Sequence, residues 1–415
     1  MNGEGVFILR DLRGTVVSSG ALLPLDIGTL PAALPPPLLE APSFNFRSST
    51  PSLCRGQSLA DPPVLSVRTV NYFIDEQTGK YKFGSKIMST TYLWGCGGNG
   101  SGVVLTTPDT ASHDNDERNV YAGVEDVRLF RASDGALYMS GTRGVRVINA
   151  TGEVRFNMCV EFGVVGVEGV AHTCLLNFQG RQTMLEKNWA LLEDLTSSSP
   201  RLKMVYAWDP YIVIGDVTAG VTEVTETHCM PSPRGLRNVR GSTNGVLMAD
   251  NTEWWFICHR AERRNGRRHY THVFVVLDAT TPELRFKRQS AFFTFEGGLV
   301  EYTLGFVVVA GGDLLIGYSV MDRETKFVRV PRSSVDETLF GSSSSFSSTP
   351  PVSTLSSTTD NFACLAGVIV DTQKFKDKLN GVMIWGDNPG DGPWTRGTWG
   401  HFFGGSLSDP ESHKI

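Results

Sequence analysis

Short strand-like segments separated by turn dipeptides recur from about residue 65 to residue 335, where convincing helical patterns are hard to find. Runs of β-branched and aromatic residues favour strands, as at residues 145–148, 254–257, 272–277 and 306–309. Candidate hairpin tips recur about every sixty residues; they are Thr78-Gly79, Asp134-Gly135, Gln179-Gly180, Asp250-Asn251 and Gly311-Gly312-Asp313. Repeats of this length are typical of radial arrays of strands. The sequence therefore predicts an all-β fold, a five-bladed β-propeller, with an irregular pair of β-sandwiches as the alternative.

Composition divides the chain into four predicted parts. Residues 1–60 are rich in Pro, Leu and Ser and are predicted to form an N-terminal extension that wraps the core or stays partly loose. Residues 61–340 are predicted to form the propeller. A Ser/Thr/Pro-rich insert, 341–360, has the composition of a flexible linker. Residues 361–415 are predicted to add two C-terminal strands and a Gly- and Trp-rich tail.

Charge and cysteine content exclude several classes of protein. The net charge of −5 gives no basic field, so nucleic acid is not an expected partner. No apolar run approaches the ~20 residues needed to span a bilayer. The seven cysteines are odd in number and include no Cys-x-x-Cys, which argues against a disulfide framework and a zinc site. With no secretory signal pattern either, a cytoplasmic location is expected.

One basic cluster stands out, at residues 260–269, where arginines surround Asn265-Gly266. The plain interpretation is a solvated hairpin tip, because Asn-Gly is a strong turn dipeptide. The functional interpretation is a loop that faces a phosphate. The sequence leaves both open.

The most distinctive motif is Glu125-Asp126-Val127-Arg128, which opens the hairpin whose tip is Asp134-Gly135. The same strand–turn–strand plan recurs along the chain, but only here does it begin with two acids and an arginine. Two carboxylates and a guanidinium at the mouth of a hairpin suit an uncharged polar substrate such as a sugar.

These motifs resemble, in their order, those of the β-mannoside phosphorylases of glycoside hydrolase family 130 and related β-mannosyltransferases. The family's Glu-Asp-Pro-Arg is similar to 125–128. Later family motifs are similar to Lys187-Asn188, to the aromatic-rich segment 204–211 with Trp208, to the segment that begins at Arg240, to His259-Arg260, and to the segment 317–322 with Tyr318 and Asp322. The resemblance covers about residues 65 to 335. Val127 replaces the family's Pro and Arg260 its Gly. Lys187-Asn188-Trp189 and His259-Arg260 look more like a divergent transferase-like branch than a standard phosphorylase.

The resemblance implies a five-bladed propeller enzyme with an inverting, single-acid mechanism. Asp126 would be the acid, with Glu125 raising its pKa; the plain alternative is that Asp126 caps a turn and pairs with Arg128. No metal or cofactor is implied. The partners would be a carbohydrate acceptor and a phosphorylated donor, with phosphate, a sugar phosphate or a nucleotide sugar as co-substrate. The candidate substrate-binding residues are Glu125, Arg128, Lys187, Asn188, Trp208, Arg240, His259, Arg260, Tyr318 and Asp322.

Three functions remain open from the sequence. The first is a glycosyltransferase or glycoside phosphorylase that acts on β-mannoside-like linkages. The second is a glycoside hydrolase, which would need a second carboxylate to activate water, with Glu301 and Asp322 as candidates. The third is a propeller that binds sugars or partners without catalysis. A basic pocket beside Asp126 would favour the first function, and two facing carboxylates would favour the second.

Overall fold

The computed structural model describes residues 47–341 apart from short gaps, and two N-terminal strands. The gaps are residues 58–60, 62, 76, 85, 96–102, 116–118, 149–151, 153, 181–182, 265–266, 298–299 and 310. From residue 342 onward, the predicted insert and C-terminal tail lie outside the described residues. The all-β prediction is confirmed, because helix in the described part is limited to turns at Ala111–Asn115, Arg234–Leu236, Arg332–Ser334 and Val335–Leu339. No described helix is long and apolar enough to cross a membrane.

The described strands are numbered in chain order. The N-terminal pair is β1 (Val6–Asp11) and β2 (Val16–Ala21). The first antiparallel set then comprises β3 (Arg47–Cys54), β4 (Val64–Val70), β7 (Ile87–Trp94) and β8 (Val103–Val104). Two short strands, β5 (Phe73–Ile74) and β6 (Tyr81–Lys82), form a hairpin between β4 and β7. A further short strand, β9 (Tyr121–Ala122), pairs in parallel with β7.

Three more sets follow, and within them consecutive strands mostly pair antiparallel. The second set is β10 (Val124–Arg131), β11 (Leu137–Ile148), β12 (Val154–Val165) and β13 (Ala171–Phe178). The third is β14 (Ala190–Asp194), β15 (Arg201–Ala207), β16 (Tyr211–Asp216) and β17 (Glu223–Pro231). In the fourth set, β20 (Glu253–Arg264) pairs with β18 (Val239–Gly241), β19 (Val246–Leu247) and β21 (Arg267–Asp278), and β21 pairs with β22 (Phe286–Gln289) and β23 (Phe293–Thr294).

The fifth set is β24 (Glu301–Val308), β25 (Leu314–Val320) and β26 (Glu324–Val330). Each set contacts the next in sequence: β3 and β4 contact β10, β13 pairs in parallel with β17, β15 contacts β18, and β19, β20 and β21 contact β24. The strands of the fifth set contact β3 of the first. Strands from distant parts of the chain are therefore brought to a common region.

The hydrophobic core lies between neighbouring sets. β20 contributes to the core on both of its faces, which explains why the sequence of this strand is continuously apolar. Trp254 faces a cluster shared with the second and third sets, whereas Trp255 faces a cluster shared with the fifth. Successive strand residues point to opposite faces, so a strand buried on both sides needs apolar residues at every position. The buried run from Trp254 to Cys258 follows this rule.

Four of the five predicted hairpin tips connect paired strands. Asp134-Gly135 joins β10 to β11, Asp250-Asn251 joins β19 to β20, Gly311-Gly312-Asp313 joins β24 to β25, and Thr78-Gly79 joins the short pair β5 and β6. The prediction for Gln179-Gly180 is wrong, because this turn ends β13 and leads out of the second set. The tips therefore occupy non-equivalent positions, although their spacing indicated a repeat.

β3 lies on the N-terminal side of the predicted boundary at residue 60. This strand lies inside the predicted extension, yet it pairs with β4 from Arg47↔Val70 to Cys54↔Val64. Its sequence, rich in Ser and with Pro51, has weak strand propensity. The register shift between Ser48 and Pro51 accommodates the proline, as bulges do. The β1–β2 pair also reaches the fourth set, through β23.

Replacing Gly305 by Ala should destabilise the fold by about 1–3 kcal/mol, because overpacking costs that much. A Cβ at Gly305 would overlap the backbone N and O atoms of Leu53, where β24 lies against β3. The matched control is Gly166→Ala, whose Cβ would meet only the Val170 carbonyl oxygen, at 3.3 Å. Urea unfolding of both variants measures the difference; equal loss would contradict close packing of the fifth set on the first.

Candidate active site

Two adjacent carboxylates open the second set. The register of β10 shifts between Glu125 and Arg128, and Asp126 has a φ of 52°. Such a bulge re-aims side chains, and both acids meet one guanidinium. Arg68 donates from Nη2 to Glu125 Oε1 over 2.8 Å and from Nη1 to Asp126 Oδ1 over 3.0 Å. Because Arg68 lies on β4 with 4% of its side chain exposed, a buried cation of the first set holds both acids.

A third carboxylate, Asp322, lies just after β25 and within electrostatic reach of Arg68 and Asp126. The Tyr72 hydroxyl donates to Asp322 Oδ2 over 3.1 Å, and the Tyr72 ring centroid is 5.7 Å from the Arg68 guanidinium carbon. Burial raises the pKa of Asp322; Arg68 opposes this shift and Asp126 adds to it. Burial likewise raises the pKa of Glu125, again against Arg68. Three acids therefore share one cation.

Arg128 ties several sets together beneath the acids. Its Nη1 donates to the Asp126 carbonyl oxygen over 3.0 Å, and its Nη2 donates to Asn188 Oδ1 and to the Tyr302 hydroxyl over 3.2 and 3.0 Å. Its Nε donates to the Ser242 carbonyl oxygen over 2.5 Å. With 1% of the residue exposed, Arg128 has little surface for a substrate. Arg128 therefore holds the Asp126 carbonyl oxygen, and Asn188 holds Arg128.

Lys187 and Arg240 form the basic part of the site. Both are partly buried, and Lys187 lies within electrostatic reach of Arg240 and of both acids at the start of β10. Burial lowers the pKa of Lys187 to about 8; Asp126 opposes the shift, and Arg240 and Arg268 add to it. Burial also lowers the pKa of Arg240, and Tyr270 and Tyr302 oppose this shift. Acids and bases from several sets therefore converge.

His259 lies beside this cluster but is shielded from solvent. Its Nδ1 is 2.8 Å from Ser242 Oγ, and its ring contacts Tyr270 and Tyr302 with centroid distances of 5.4 and 5.1 Å. Burial holds the pKa of His259 well below its ordinary value, and Arg240 acts in the same direction. A neutral, 3% exposed imidazole supports the neighbouring tyrosines and Arg240.

Three predicted substrate-binding residues lie elsewhere. Trp208 is 2% exposed and packs edge-on against Phe256 in the core. Tyr318 is fully buried, stacks on Phe295, and donates to Glu296 over 2.6 Å. Arg260 follows His259 on β20 and so points to the opposite face. Its guanidinium donates to the carbonyl oxygens of Gly235 and Arg237 and lies over the Phe292 ring.

Glu301, one of two candidates for a second catalytic carboxylate, accepts hydrogen bonds from backbone amides. Its two oxygens accept hydrogen bonds from the Phe295 and Glu296 amides over 2.6 and 2.9 Å, and it is fully buried. These bonds fix the loop before β24. Of the two candidates, Asp322 alone is near Asp126 in the described structure.

Sequence reasoning missed Arg68, Tyr72, Arg268, Tyr270 and Tyr302. Arg68 carried a signal, because it is the one charge in the otherwise uncharged run 64–70, which forms the fully buried β4. Arg268 was hidden among the arginines of 260–269. It donates to the Tyr81 hydroxyl over 2.9 Å and lies within electrostatic reach of Lys187, Arg240 and Asp322.

The affinity of the site for sulfate should fall by up to tenfold per pH unit as the pH rises above about 8. Lys187, with its pKa lowered to about 8, loses its charge there, while sulfate keeps both of its own. Titration calorimetry from pH 7 to pH 9.5 measures the change. Lys187→Arg is the matched control, because arginine stays charged throughout. A fall of the same size in that variant would assign the titration to another group.

No protein-family model matches the chain, and no curated protein matches it. Solved structures do match. One belongs to the GH130 family of mannoside phosphorylases, which contains glycoside hydrolases that target β-1,2-mannosidic linkages in Candida mannan. It has 11% sequence identity and a TM-score of 0.44, over 69% of this chain and 84% of that chain.

Two further matches come from Leishmania mexicana. A GDP-Man-dependent mannosyltransferase has 12% identity and a TM-score of 0.42, over 69% of this chain and 86% of that chain. A mannose phosphorylase in complex with a phosphate ion has 15% identity and a TM-score of 0.40, over 70% and 85%. These are the kinds of protein that the sequence motifs resemble.

Proposed function

We propose that this protein is a carbohydrate-active enzyme, built on a five-bladed β-propeller, that transfers a β-mannoside-like glycosyl group between a phosphate-bearing donor and an acceptor hydroxyl. One observation carries the proposal: Asp126 and Glu125 lie within electrostatic reach of Lys187, which also lies within electrostatic reach of Arg240 and Arg268. Proton transfer and anion binding require these two kinds of group side by side.

The reaction balances with one acid/base group. In the synthetic direction, the acceptor oxygen forms a bond to the anomeric carbon and its proton passes to the Asp126 carboxylate. The bond from the anomeric carbon to the phosphate oxygen breaks, and its electron pair leaves on the phosphate. In phosphorolysis, a phosphate oxygen forms a bond to the anomeric carbon from the opposite face, the bond to the glycosidic oxygen breaks, and Asp126 gives its proton to that oxygen, which leaves as a hydroxyl. Each direction inverts the anomeric configuration.

The basic residues have a distinct task in this scheme. Lys187 and Arg240 would neutralise the phosphate, which carries the developing negative charge in the synthetic direction. Arginine offers a planar fork of donors and lysine a compact charge. Arg240 lowers the pKa of Lys187, and a donor phosphate bound between the two would offset this repulsion.

A hydrolase is the second candidate, favoured by the raised pKa of the buried Asp322 near Asp126. One carboxyl would protonate the leaving oxygen and the other would activate water. In that case neither Lys187 nor Arg240 would be needed to bind an anion. Variants of these two residues would then affect donor and acceptor equally.

The test incubates the protein with labelled GDP-mannose or mannose 1-phosphate and a panel of sugar acceptors. A new glycoside that forms only with an acceptor supports transfer. Free mannose released from mannosides without phosphate supports hydrolysis instead, and binding with no product supports a non-catalytic platform. Arg240→Gln should raise the KM for the donor far more than for the acceptor, and the donor effect should shrink as salt rises.

A further inference from the structure

A buried network of charges lies where β10 begins. Arg143 on β11 is directly opposite Val124, the first residue of β10. Arg143 and Glu161 on β12 are 1% and 0% exposed, and they form an ion pair through Arg143 Nε and Glu161 Oε2. The hydroxyls of Thr110 and Thr173 also donate to Glu161 Oε1. Neutral donors therefore help to fix the carboxylate that holds Arg143.

Asp114 joins this network to the strand that carries the acids. It lies in the helical turn Ala111–Asn115, and its Oδ1 accepts a hydrogen bond from Arg143 Nη1 over 2.5 Å. The same oxygen accepts from the backbone amide of Gly123 over 3.0 Å. Gly123 directly precedes β10 and lies two residues before Glu125. One carboxylate oxygen thus links a buried guanidinium to the backbone that leads into both acids.

Gly123 is also confined by the first set. Its φ is 81°, in the left-handed region that favours glycine. A Cβ at this position would overlap the carbonyl oxygen of Ser89 on β7. The Ser89 side chain in turn accepts a hydrogen bond from Arg68 Nε over 2.9 Å. The strand that carries the acids and the cation that pairs with them are therefore both in contact with Ser89.

The turn that carries Asp114 is itself tethered. Asn119 Nδ2 donates to the carbonyl oxygens of His113 and Gly144 over 3.0 and 2.9 Å, which ties the turn to β11. Lys86 Nζ donates to the Asp114 carbonyl oxygen over 2.8 Å. The Asp114 carboxylate is therefore presented to Gly123 from a fixed backbone.

The physical chemistry of buried charges favours a positioning role for this network. A buried ion pair contributes little net stability, because desolvation offsets much of the attraction, whereas its directional bonds restrict geometry. Geometry matters at this place in the chain, since a displacement of about 1 Å can cost about 100-fold in rate.

We propose that Asp114 and Arg143 are positioning residues for the acids: by holding the Gly123 amide, they set where Glu125 and Asp126 lie relative to Arg68 and Lys187. The inference rests on the proposed function for its effect on turnover. Its effect on the position of the acids is independent of any reaction.

The first experiment measures glycosyl transfer at pH 6.5, where Lys187 is charged. Asp114→Ala should lower kcat about 10–100-fold, because the acids are displaced. The KM for the donor should stay within about threefold, because Lys187 and Arg240 remain. Asp114→Asn keeps an oxygen that can accept from both Gly123 and Arg143, so its kcat should stay within about threefold of wild type.

The matched control is Asp216→Ala in the third set. Asp216 pairs with the buried Lys203 over 2.7 Å, and its side chain is 34% exposed, against 27% for Asp114. The control therefore removes an ion pair of the same kind, but from β16 rather than from the start of β10. Its kcat should stay within about twofold of wild type. Thermal melting of each variant verifies that it is folded and compares the losses of stability.

The second experiment reads the position of the acids through Lys187 and needs neither substrate nor turnover. Asp126 and Glu125 raise the pKa of Lys187, whereas Arg240 and Arg268 lower it together with burial, to about 8. If Asp114→Ala moves the acids away, Lys187 should titrate at lower pH than in wild type. Trace labelling with acetic anhydride across the pH range, with peptide mapping by mass spectrometry, measures this titration. Asp216→Ala should leave it unchanged.

Three results would each overturn the proposal: equal loss of kcat in Asp114→Ala and Asp216→Ala, equal loss in Asp114→Asn and Asp114→Ala, or an unchanged Lys187 titration in Asp114→Ala. Failure of the proposed function gives a different result. If wild type forms no glycoside with any donor and acceptor, that function is lost, while the Lys187 titration still decides whether Asp114 positions the acids.

Discussion

Replacing Asp126 by Asn should lower glycosyl-transfer turnover by about 10²–10⁴-fold, the usual contribution of a general acid–base group. The amide is nearly isosteric but cannot exchange a proton. Asn also tolerates the left-handed backbone at this position, where φ is 52°. Folding should therefore be retained, and initial rates on a working donor and acceptor measure the loss.

Glu125→Gln is the matched control for Asp126→Asn. Glu125 contacts the same guanidinium, so its substitution also removes one ion pair with Arg68. The loss of turnover should be clearly smaller, because the proton-exchanging group remains. If Asp126→Asn keeps near-normal turnover, or if both variants lose activity equally, Asp126 is not the acid.

Replacing Arg68 by Met should reduce the free energy of unfolding by about 3–5 kcal/mol, the usual cost of breaking a buried ion pair from one side. Glu125 and Asp126 would lose the cation that they both contact, and Asp322 would lose a favourable charge nearby. Urea unfolding at neutral pH measures the loss. The control is Arg329→Met, which breaks the more exposed pair with Asp313 and should cost about 0–1 kcal/mol.

The loss caused by Arg68→Met should shrink as the pH falls. Burial raises the pKa of Glu125 and of Asp322, so the folded state binds protons more readily than the unfolded state. Stability therefore falls as the pH rises from the ordinary carboxyl range, about 4, through the raised pKa values. Without Arg68 this dependence should steepen. A loss equal at pH 4.5 and pH 7.5 would contradict the role of Arg68 as the shared counter-ion.

Several strands and turns could be predicted from the sequence because the signals are local. The run 254–257 predicted a strand, and Asp134-Gly135 predicted a tight hairpin. β3 was missed because Ser and Pro51 hide its strand character, and its place is fixed by pairing with β4 and by contact with the fifth set. The strand propensity of a short segment does not reveal stabilisation by such long-range contacts.

The candidate site could be predicted in part, because its motifs are local in the sequence. The acids of β10 stood out beside Arg128, and Lys187, Arg240 and Asp322 were selected by their motifs. Trp208 and Tyr318 were selected in the same way, but both side chains pack in the interior. A motif identifies residue types, whereas exposure depends on which neighbouring set covers the side chain.

The sequence by itself determined the all-β class, most turns, and the placing of two acids at the start of one hairpin, because strand alternation and turn chemistry act over a few residues. Only the tertiary structure decided which charges meet. Arg68 lies 57 residues before Glu125, yet their side chains are 2.8 Å apart. Arg263 and Arg264 are neighbours in the chain, yet the pairing of β20 with β21 places them on opposite faces of the sheet. Electrostatic interactions depend on distance in space, and packing between the sets fixes that distance.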